Sequence, residues 1–447
     1  MTDEQNILLS LVKLMFPREM LDYFEVVGFE IHEDSINARL DERDRIHKKR
    51  SGHTYVKNGF LPESLITDFP IRDKRATLIV RRRRWKDEET GEIVSNDYEL
   101  VAKGTRHSKE FAAFLKGGLE SYPIAASSCE KYYHINGKQF ERQYKDHLSG
   151  YRDWVTKEGT HAERYLIFPE NIGPRLSIDE TSLSDGELYT IVTNKDAHGG
   201  KGAIVSIIAG TKAWEIAEIL WLIPSELREQ VEEITMDLSP TMRKAARFSF
   251  PNAALVADRF HMQKLALDAL QELRIRFRWD ALDEENRKKA ETKATGKDYE
   301  PKVFENGDTR KQLLARSRYL LFKSVEKWTK SQKIRAKILF NHYPDIETAY
   351  NLTHRLRMIY SHTKEKGKAL PKLALWYNDI EKAGYESFRT IAETIQANYD
   401  QILNFFNNRS TNASAESFNA KIKVFRAQFR GVSDVKYFLF RLTNIYA

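Results

Sequence analysis

The sequence contains a single cysteine, Cys129, among its 447 residues. One cysteine cannot form a disulfide within the chain or supply the cysteine ligands of a structural zinc ribbon. Its isolation is typical of proteins from a reducing compartment. No run approaches the roughly 20 apolar residues of a membrane-spanning helix, and Asp3-Glu4-Gln5 do not begin a secretory signal. We therefore expect a soluble cytoplasmic protein with no zinc and no membrane partner.

Neither sign of charge predominates strongly, and the excess of positive charge is small, with 72 Lys and Arg against 64 Asp and Glu. The distribution is more informative than the total. Four consecutive arginines, Arg81, Arg82, Arg83 and Arg84, lie in a predicted hairpin over residues 77–102. Short arginine-rich runs are candidate contacts for nucleic-acid phosphates. The alternative is a solvated charge run on the surface of the hairpin.

Hydrophobic periodicity and turn residues divide the chain, which is long enough for about three domains, into seven segments. In order, we expect an N-terminal helical segment (1–50), an Arg-rich β-hairpin region (51–107), a helix-turn-helix region (108–150), a connector (151–170), the first part of an α/β core (171–261), an all-helical insertion (262–410) and a helix that closes the core (411–447).

The segment 108–150 has the outline of a helix-turn-helix, with a short turn at His134-Ile135-Asn136-Gly137. The second helix of such a motif can lie in the major groove of DNA. Its candidate DNA contacts are Lys138, Gln139, Arg142 and Lys145. An ordinary helical hairpin is the alternative interpretation, because helix-turn-helix patterns are loose.

Five short apolar runs after residue 171 are predicted strands. They cover residues 176–179, 187–192, 203–208, 234–237 and 254–258. A helix is predicted before the fourth run, and Ser239-Pro240 begins another before the fifth, since Ser caps helices and Pro suits their first turn. Three strands, a helix, a strand, a helix and a strand describe a mixed sheet with helical covers. That order suits a ribonuclease-H-like architecture.

Three acids far apart in the sequence are candidate metal ligands. Asp179 and Asp237 end predicted strands, where the sites of open sheets gather, and Glu416 opens a predicted helix. Carboxylates brought together repel one another unless a cation intervenes. Two Mg²⁺ or Mn²⁺ ions held by such a trio could clamp the oxygens of a phosphodiester. Each acid could instead be a helix cap or a solvated charge, and Asp258, which also ends a strand, is a rival for the second position.

Glu416, Asn419 and Lys423 recur at helical spacing on one face, which could meet both metal and DNA backbone. Lys421 and Lys423 are candidate DNA contacts near a cut site, with a solvated helix face as the alternative.

Several motifs resemble the DDE transposases of the ISL3 superfamily of bacterial insertion sequences, and its ISAon1-like branch in particular. These are Ser177-Ile178-Asp179-Glu180-Thr181, Asp237-Leu238-Ser239, Asp258-Arg259-Phe260-His261 and the helix from Ser414 to Lys423. The resemblance implies a metal-binding triad of Asp179, Asp237 and Glu416 on a ribonuclease-H-like fold with a helical insertion. It further implies cleavage and transfer of DNA strands at transposon ends, a homodimer on double-stranded DNA and a bacterial, nucleoid-associated location.

Two other functions remain open at this level. One is a structure-specific nuclease on the same fold, which cuts DNA but does not join it. The other is a non-catalytic DNA-binding protein descended from a transposase. The resemblance implies that residues 258–261 are structural or face DNA.

Overall fold

The computed structural model describes residues 10–47, 49–184, 186–296 and 298–447. The chain forms two compact units. The terminal unit consists of Met1–Leu166, Ser182–Glu187 and Asn419–Ala447, and the central unit consists of Ile167–Thr181 and Leu188–Phe418. Within the described ranges, no helix combines the length and apolar character needed to cross a bilayer.

Two small sheets form the N-terminal part of the terminal unit. The first has four strands in the order β1-β2-β5-β4, and the second has three in the order β3-β6-β7. Their bounds are β1 (Phe24–Ile31), β2 (Ser35–Glu42), β3 (Tyr55–Phe60), β4 (Ser64–Ile71), β5 (Lys74–Arg81), β6 (Arg83–Asp87) and β7 (Ile93–Val94).

The prediction of a helical segment over residues 1–50 is wrong for residues 24–42, which form β1 and β2. The reason is visible in β2, where buried Ile36, Ala38 and Leu40 alternate with the more exposed Asn37 and Arg39. A period of two places these apolar side chains on one face of a strand. The first nine residues of that segment lie outside the described part of the chain.

The predicted hairpin region is also divided differently from expectation. β5 ends at Arg81 and β6 begins at Arg83, so the arginine run passes from one sheet to the other. β6 pairs antiparallel with β7, with Trp85 opposite Val94, rather than with residues 98–102 at the end of the predicted hairpin.

Helices complete the terminal unit. They are α1 (Met20–Tyr23), α2 (Lys109–Ser121), α3 (Ser128–Tyr133), α4 (Gly137–Gln143) with a π-helical turn at Tyr144–Leu148, α5 (Tyr151–Glu158) and, near the C-terminus, α18 (Val435–Tyr446). Phe111, Phe140 and Tyr437 share one hydrophobic core, which joins α18 to the helices of segment 108–150. Buried Arg441 strengthens the junction by donating hydrogen bonds to the carbonyl oxygens of Leu119 (2.5 Å) and Ile124 (3.0 Å).

The central unit is built on a six-stranded sheet in the order β13-β12-β9-β10-β11-β8. Its strands are β8 (Tyr165–Ile167), β9 (Arg175–Ser184), β10 (Glu187–Asn194), β11 (Ile204–Ala209), β12 (Glu233–Met236) and β13 (Ala254–Ala257). β12 runs parallel to both β9 and β13, whereas β10 and β11 are antiparallel. All five strands predicted after residue 171 are confirmed. They could be predicted because strands covered on both faces require continuous apolar runs.

Helices account for most of the remaining central unit. They are α6 (Ala213–Leu220), α7 (Ser225–Arg228), α8 (Pro240–Ser249), α9 (Arg259–Ala294), α10 (Arg310–Arg316), α11 (Arg318–Leu321), α12 (Lys330–His342), α13 (Pro344–His362), α14 (Lys366–Ala383), α15 (Glu386–Ala397), α16 (Tyr399–Asn408) and the first residues of α17 (Ala413–Gln428). Val256, Met262 and Trp376 belong to one core, so the helices between β13 and α17 pack continuously with the last strand of the sheet.

Candidate active site

Acids follow two neighbouring strands of the central sheet. Asp237 comes directly after β12, and Asp258 comes directly after β13. Because β9, β12 and β13 are parallel, these positions share one edge of the sheet. Asp179 lies two residues beyond Ser177, the last β9 residue paired with β12. The sequence predicted that Asp179 ends its strand, and this prediction is wrong, because β9 continues to residue 184.

Glu416 lies in the first turn of α17. The turn begins at Asn412, whose carbonyl oxygen accepts a hydrogen bond from the Glu416 amide at 3.0 Å. Glu416 is exposed, whereas Ala415 and Phe418 on either side are buried. The helix therefore packs its apolar side and leaves this carboxylate accessible.

The acids influence one another electrostatically. The pKa of Asp179 is raised from its ordinary 3.8 to about 6, first by burial and then by the negative charges of Asp237 and Glu416, against the lowering effects of the Glu180 amide and the His261 imidazole. Burial and then the charge of Asp237 also raise the pKa of Glu180. Such mutual effects require proximity, so Asp179, Asp237 and Glu416 lie in one electrostatic environment.

A tighter group adjoins these acids. The metal-ligating atoms of Asp258, His261 and Glu416 all lie within 4.8 Å of one another, and Asp179 and Asp237 lie outside that group. Asp258 is fully buried, and its Oδ2 is 3.2 Å from His261 Nδ1. The hydrogen bond to Asp258 raises the pKa of His261, and the charges of Asp258, Asp237 and Asp179 add to the rise against the effect of burial.

His261 is a residue that the sequence interpretation missed as a site component. Its signal was the spacing of three residues from Asp258, which places both side chains on one face at the start of α9. Asp258, the rival for the second acid, also belongs to this edge of the sheet. Its oxygens are occupied by His261 and by the backbone amide of Asn412, whereas Asp237 Oδ1 accepts the amide of Ser239 at 2.9 Å.

A buried polar chain lies behind the acids. Ser177 Oγ is 2.8 Å from Thr235 Oγ1, and the Thr235 hydroxyl donates to Asn412 Oδ1 at 3.3 Å. The Asn412 amide then donates to Asp258 Oδ1 at 3.2 Å. All four side chains are fully buried. Because Ser177 and Thr235 each precede an acid by two residues and Asn412 precedes Glu416 by four, the chain links the three elements that carry the candidate ligands.

The arginine run is held within the terminal unit. Arg81 forms a bidentate pair with Asp41, with Nε–Oδ1 and Nη2–Oδ2 distances of 2.7 and 2.6 Å. The guanidinium groups of Arg81 and Arg83 each lie 4.7 Å from the ring centroid of Phe60. Arg82 Nη1 lies 3.5 Å from Asp97 Oδ1, and the Arg84 side chain is half-buried. These four residues therefore do not form a plain solvated charge run.

The second helix of the predicted helix-turn-helix, α4, exposes Lys138, Gln139 and Arg142. Lys145 follows in the π-helical turn and is only 18% exposed. Its ammonium is 2.9 Å from Glu141 Oε1 and 3.0 Å from Asp434 Oδ2. Because Asp434 caps α18, this ion pair stabilises the packing of that helix.

The predicted DNA-facing side of α17 is only partly accessible. Lys423 is exposed and Lys421 is half-buried, but Asn419 is buried. Asn419 and Lys423 therefore do not form one accessible face.

Comparison with known proteins identifies one family. The model of the DDE transposases of the ISL3 type, described as a transposase, matches residues 176–442. The match covers more than half of the chain and includes all the acids of the site. No curated protein matches the sequence.

Proposed function

Since this chain belongs to the ISL3 family of DDE transposases, we propose that it binds the ends of an insertion sequence and catalyses metal-dependent cleavage and transfer of DNA strands. The convergence of Asp179, Asp237 and Glu416 on one electrostatic environment supports the proposal most directly. Negative charges from two sheet positions and a distant helix repel one another, and a bound cation would relieve that repulsion.

The central sheet is proposed to be a ribonuclease-H-like core. Three consecutive strands, β9, β10 and β11, lie side by side, and β12 and β13 extend the sheet on the other side of β9. α6 separates β11 from β12, and α8 separates β12 from β13. This order supports a core in which the helices from α9 to α16 form the insertion before the last acid.

The donor set fits divalent cations. Carboxylate oxygens are the preferred ligands of Mg²⁺ and Mn²⁺, and the pKa of Asp179 is raised first by burial and then by the charges of Asp237 and Glu416, effects that a bound cation would offset. We assign Asp179, Asp237 and Glu416 as the residues that would hold two such ions. When bound, the ions would activate a water or a 3′-hydroxyl and neutralise charge on the reacting phosphate.

The protein's own contribution is positioning. Asp258 orients His261 through Nδ1, and it receives the amide that begins the helix of Glu416. Geometry fixed before the substrate binds removes part of the entropic barrier to reaction. Asp258 and His261 are therefore proposed to hold Glu416 in place rather than to form the triad.

End recognition is proposed to reside in the terminal unit. Lys138, Gln139 and Arg142 are exposed along α4, as expected for a helix that enters the major groove. Lys145 steadies the unit instead, because two carboxylates already neutralise it. A homodimer on DNA, with each protomer at one transposon end, completes the proposal.

The test uses the full-length protein and duplex DNA carrying the terminal repeat that flanks its gene. Asp179→Asn, Asp237→Asn and Glu416→Gln should each abolish strand cleavage in Mg²⁺ while end binding in Ca²⁺ stays within about twofold. Asp283→Asn, on the exposed side of α9, is the matched control and should cleave normally. A variant of the triad that cuts at the wild-type rate would remove that residue from the site.

A second assay separates a transposase from a structure-specific nuclease. Ends that are already cut are mixed with target plasmid, and joined products are measured. A protein that cleaves but never joins pre-cut ends would be a nuclease on the same fold.

A further inference from the structure

A cavity of about 430 Å³ opens beside the first turns of α9 in the central unit. The Phe260, Phe322 and Tyr360 side chains contribute aromatic walls. Arg259, which also lines the cavity, directly follows Asp258 of the candidate active site. The cavity therefore adjoins the Asp258 side of the candidate active site, at the start of α9.

Phe260 is placed unusually for a large apolar side chain. It is 45% exposed, and the Arg259 guanidinium lies 4.8 Å from its ring centroid. An exposed aromatic ring beside a guanidinium is the arrangement on which unpaired nucleobases stack, since both offer a flat face to a base. Tyr360, which also lines the cavity, is buried.

A hydrogen-bonding side chain also faces this space. Gln263 Nε2 donates to the Thr353 carbonyl oxygen at 3.3 Å, which fixes the amide. Among the described residues, no donor reaches Gln263 Oε1. A fixed glutamine amide with an open edge can read the polar edge of a base.

The charge around the cavity suits a nucleotide. Arg259, Lys264 and Arg357 line it together with one acid, Asp268. Within the described ranges, neither Arg259 nor Lys264 has a carboxylate within ion-pair distance. Two cations without acidic partners can therefore contact phosphates on either side of a bound base.

We propose that this cavity, the base pocket, receives one unstacked nucleobase from the DNA strand that is cut at the neighbouring acids. Phe260 stacks on the base, Gln263 contacts its edge, and Arg259 and Lys264 contact adjacent phosphates. A stacked, paired base cannot enter a cavity, so the nucleotide must leave the duplex. The inference rests on the proposed function, because it assigns the substrate strand to the same active site.

The experiment measures base unstacking independently of cleavage. Full-length protein in Ca²⁺ is mixed with the terminal-repeat duplex, in which 2-aminopurine replaces single bases near the cut site and fluoresces more strongly when unstacked. Wild-type protein should brighten one position. Phe260→Ala should abolish that signal and slow cleavage in Mg²⁺ about tenfold, the usual effect of losing one stacking contact.

Phe248→Ala is the matched control, because Phe248 is similarly exposed at 41% and does not line the cavity. It should leave both readouts unchanged. An abasic nucleotide at the brightened position should make wild type and Phe260→Ala cleave at equal rates, since neither protein then has a base to stack.

Each outcome is decisive. Cleavage by the wild type without brightening at any position would overturn the base pocket and leave the proposed function standing. Brightening without cleavage would support the pocket and contradict the proposed function. Equal cleavage of paired DNA by wild type and Phe260→Ala would also overturn the pocket.

Discussion

Replacing Asp179 by asparagine should stabilise the metal-free protein while removing its response to Mg²⁺. The folded state raises the pKa of Asp179 from 3.8 to about 6, so folding disfavours the charged carboxylate. At 1.36 kcal/mol per pKa unit, this rise corresponds to about 3 kcal/mol. Because Asp179 is half-buried and its neighbour Glu416 is exposed to solvent, screening reduces the expected gain from Asp179→Asn to about 1–3 kcal/mol at pH 8.

The sign of the pH dependence follows from the direction of the shift. For an acid whose folded pKa lies above its unfolded value, the destabilisation is complete above pH 6 and disappears as pH falls below 3.8. The advantage of Asp179→Asn should therefore shrink by about half between pH 8 and pH 5. Asparagine cannot lose a proton, so the variant itself lacks this contribution.

The assay is urea unfolding in EDTA at both pH values, followed by thermal unfolding at pH 8 with and without Mg²⁺. Wild-type protein should gain thermal stability from Mg²⁺, because an ion that binds only the folded state stabilises it. Asp179→Asn should gain little, and Asp283→Asn should behave as wild type in every measurement. An asparagine variant less stable than wild type at pH 8 in EDTA would refute the reasoning that burial and neighbouring negative charge disfavour the Asp179 carboxylate.

Two further predictions concern buried polar groups. Thr235→Val interrupts the buried polar chain and should cost about 1–3 kcal/mol of unfolding free energy, and it should also lower the single-turnover cleavage rate without changing end binding. Thr190→Val, which removes a buried hydroxyl bonded at 2.9 Å to Gly210 elsewhere in the sheet, should cost similar stability but leave cleavage unchanged; equal slowing by both would mean that Thr235 has no positioning role. Burial and then the charge of Arg357 lower the pKa of His354 to about 4, so its contribution to stability should be complete above pH 6.5 and fall by about 1–3 kcal/mol towards pH 4. In urea unfolding across this range, His354→Gln should show a flatter pH dependence than wild type, and an unchanged slope would contradict the assignment.

Local sequence patterns determined much of the central unit. Runs such as Ile204-Val205-Ser206-Ile207-Ile208 predicted the strands, since a sheet covered on both faces requires continuous apolar side chains. Ser239 caps α8 as predicted, and its Oγ accepts the Met242 amide at 3.4 Å. The placement of Asp237 after a strand followed from these same patterns. Each of these patterns depends only on residues close together in the sequence, so each could be recognised without knowledge of the fold.

Other features depend on residues that meet only in the folded chain. The arginine run was a candidate phosphate contact in the sequence, but the sequence could not show that Arg81 pairs with Asp41, which lies 40 positions earlier and meets it after β2 and β5 pair. Lys145 is similarly occupied by Asp434, from a helix at the other end of the sequence. Ion pairs of this kind leave no local periodicity, so composition and spacing could not reveal them.

The sequence by itself determined which segments are strands and helices around the site and that Asp237 and Asp258 follow strands, because burial and capping act over a few neighbouring residues. Only the tertiary structure decided that His261 joins Asp258 and Glu416, and that Ser177, Thr235 and Asn412 connect behind them. Those contacts join side chains up to 177 positions apart. Their existence depends on the parallel register of β9 and β12 and on the packing of α17, which no local pattern specifies.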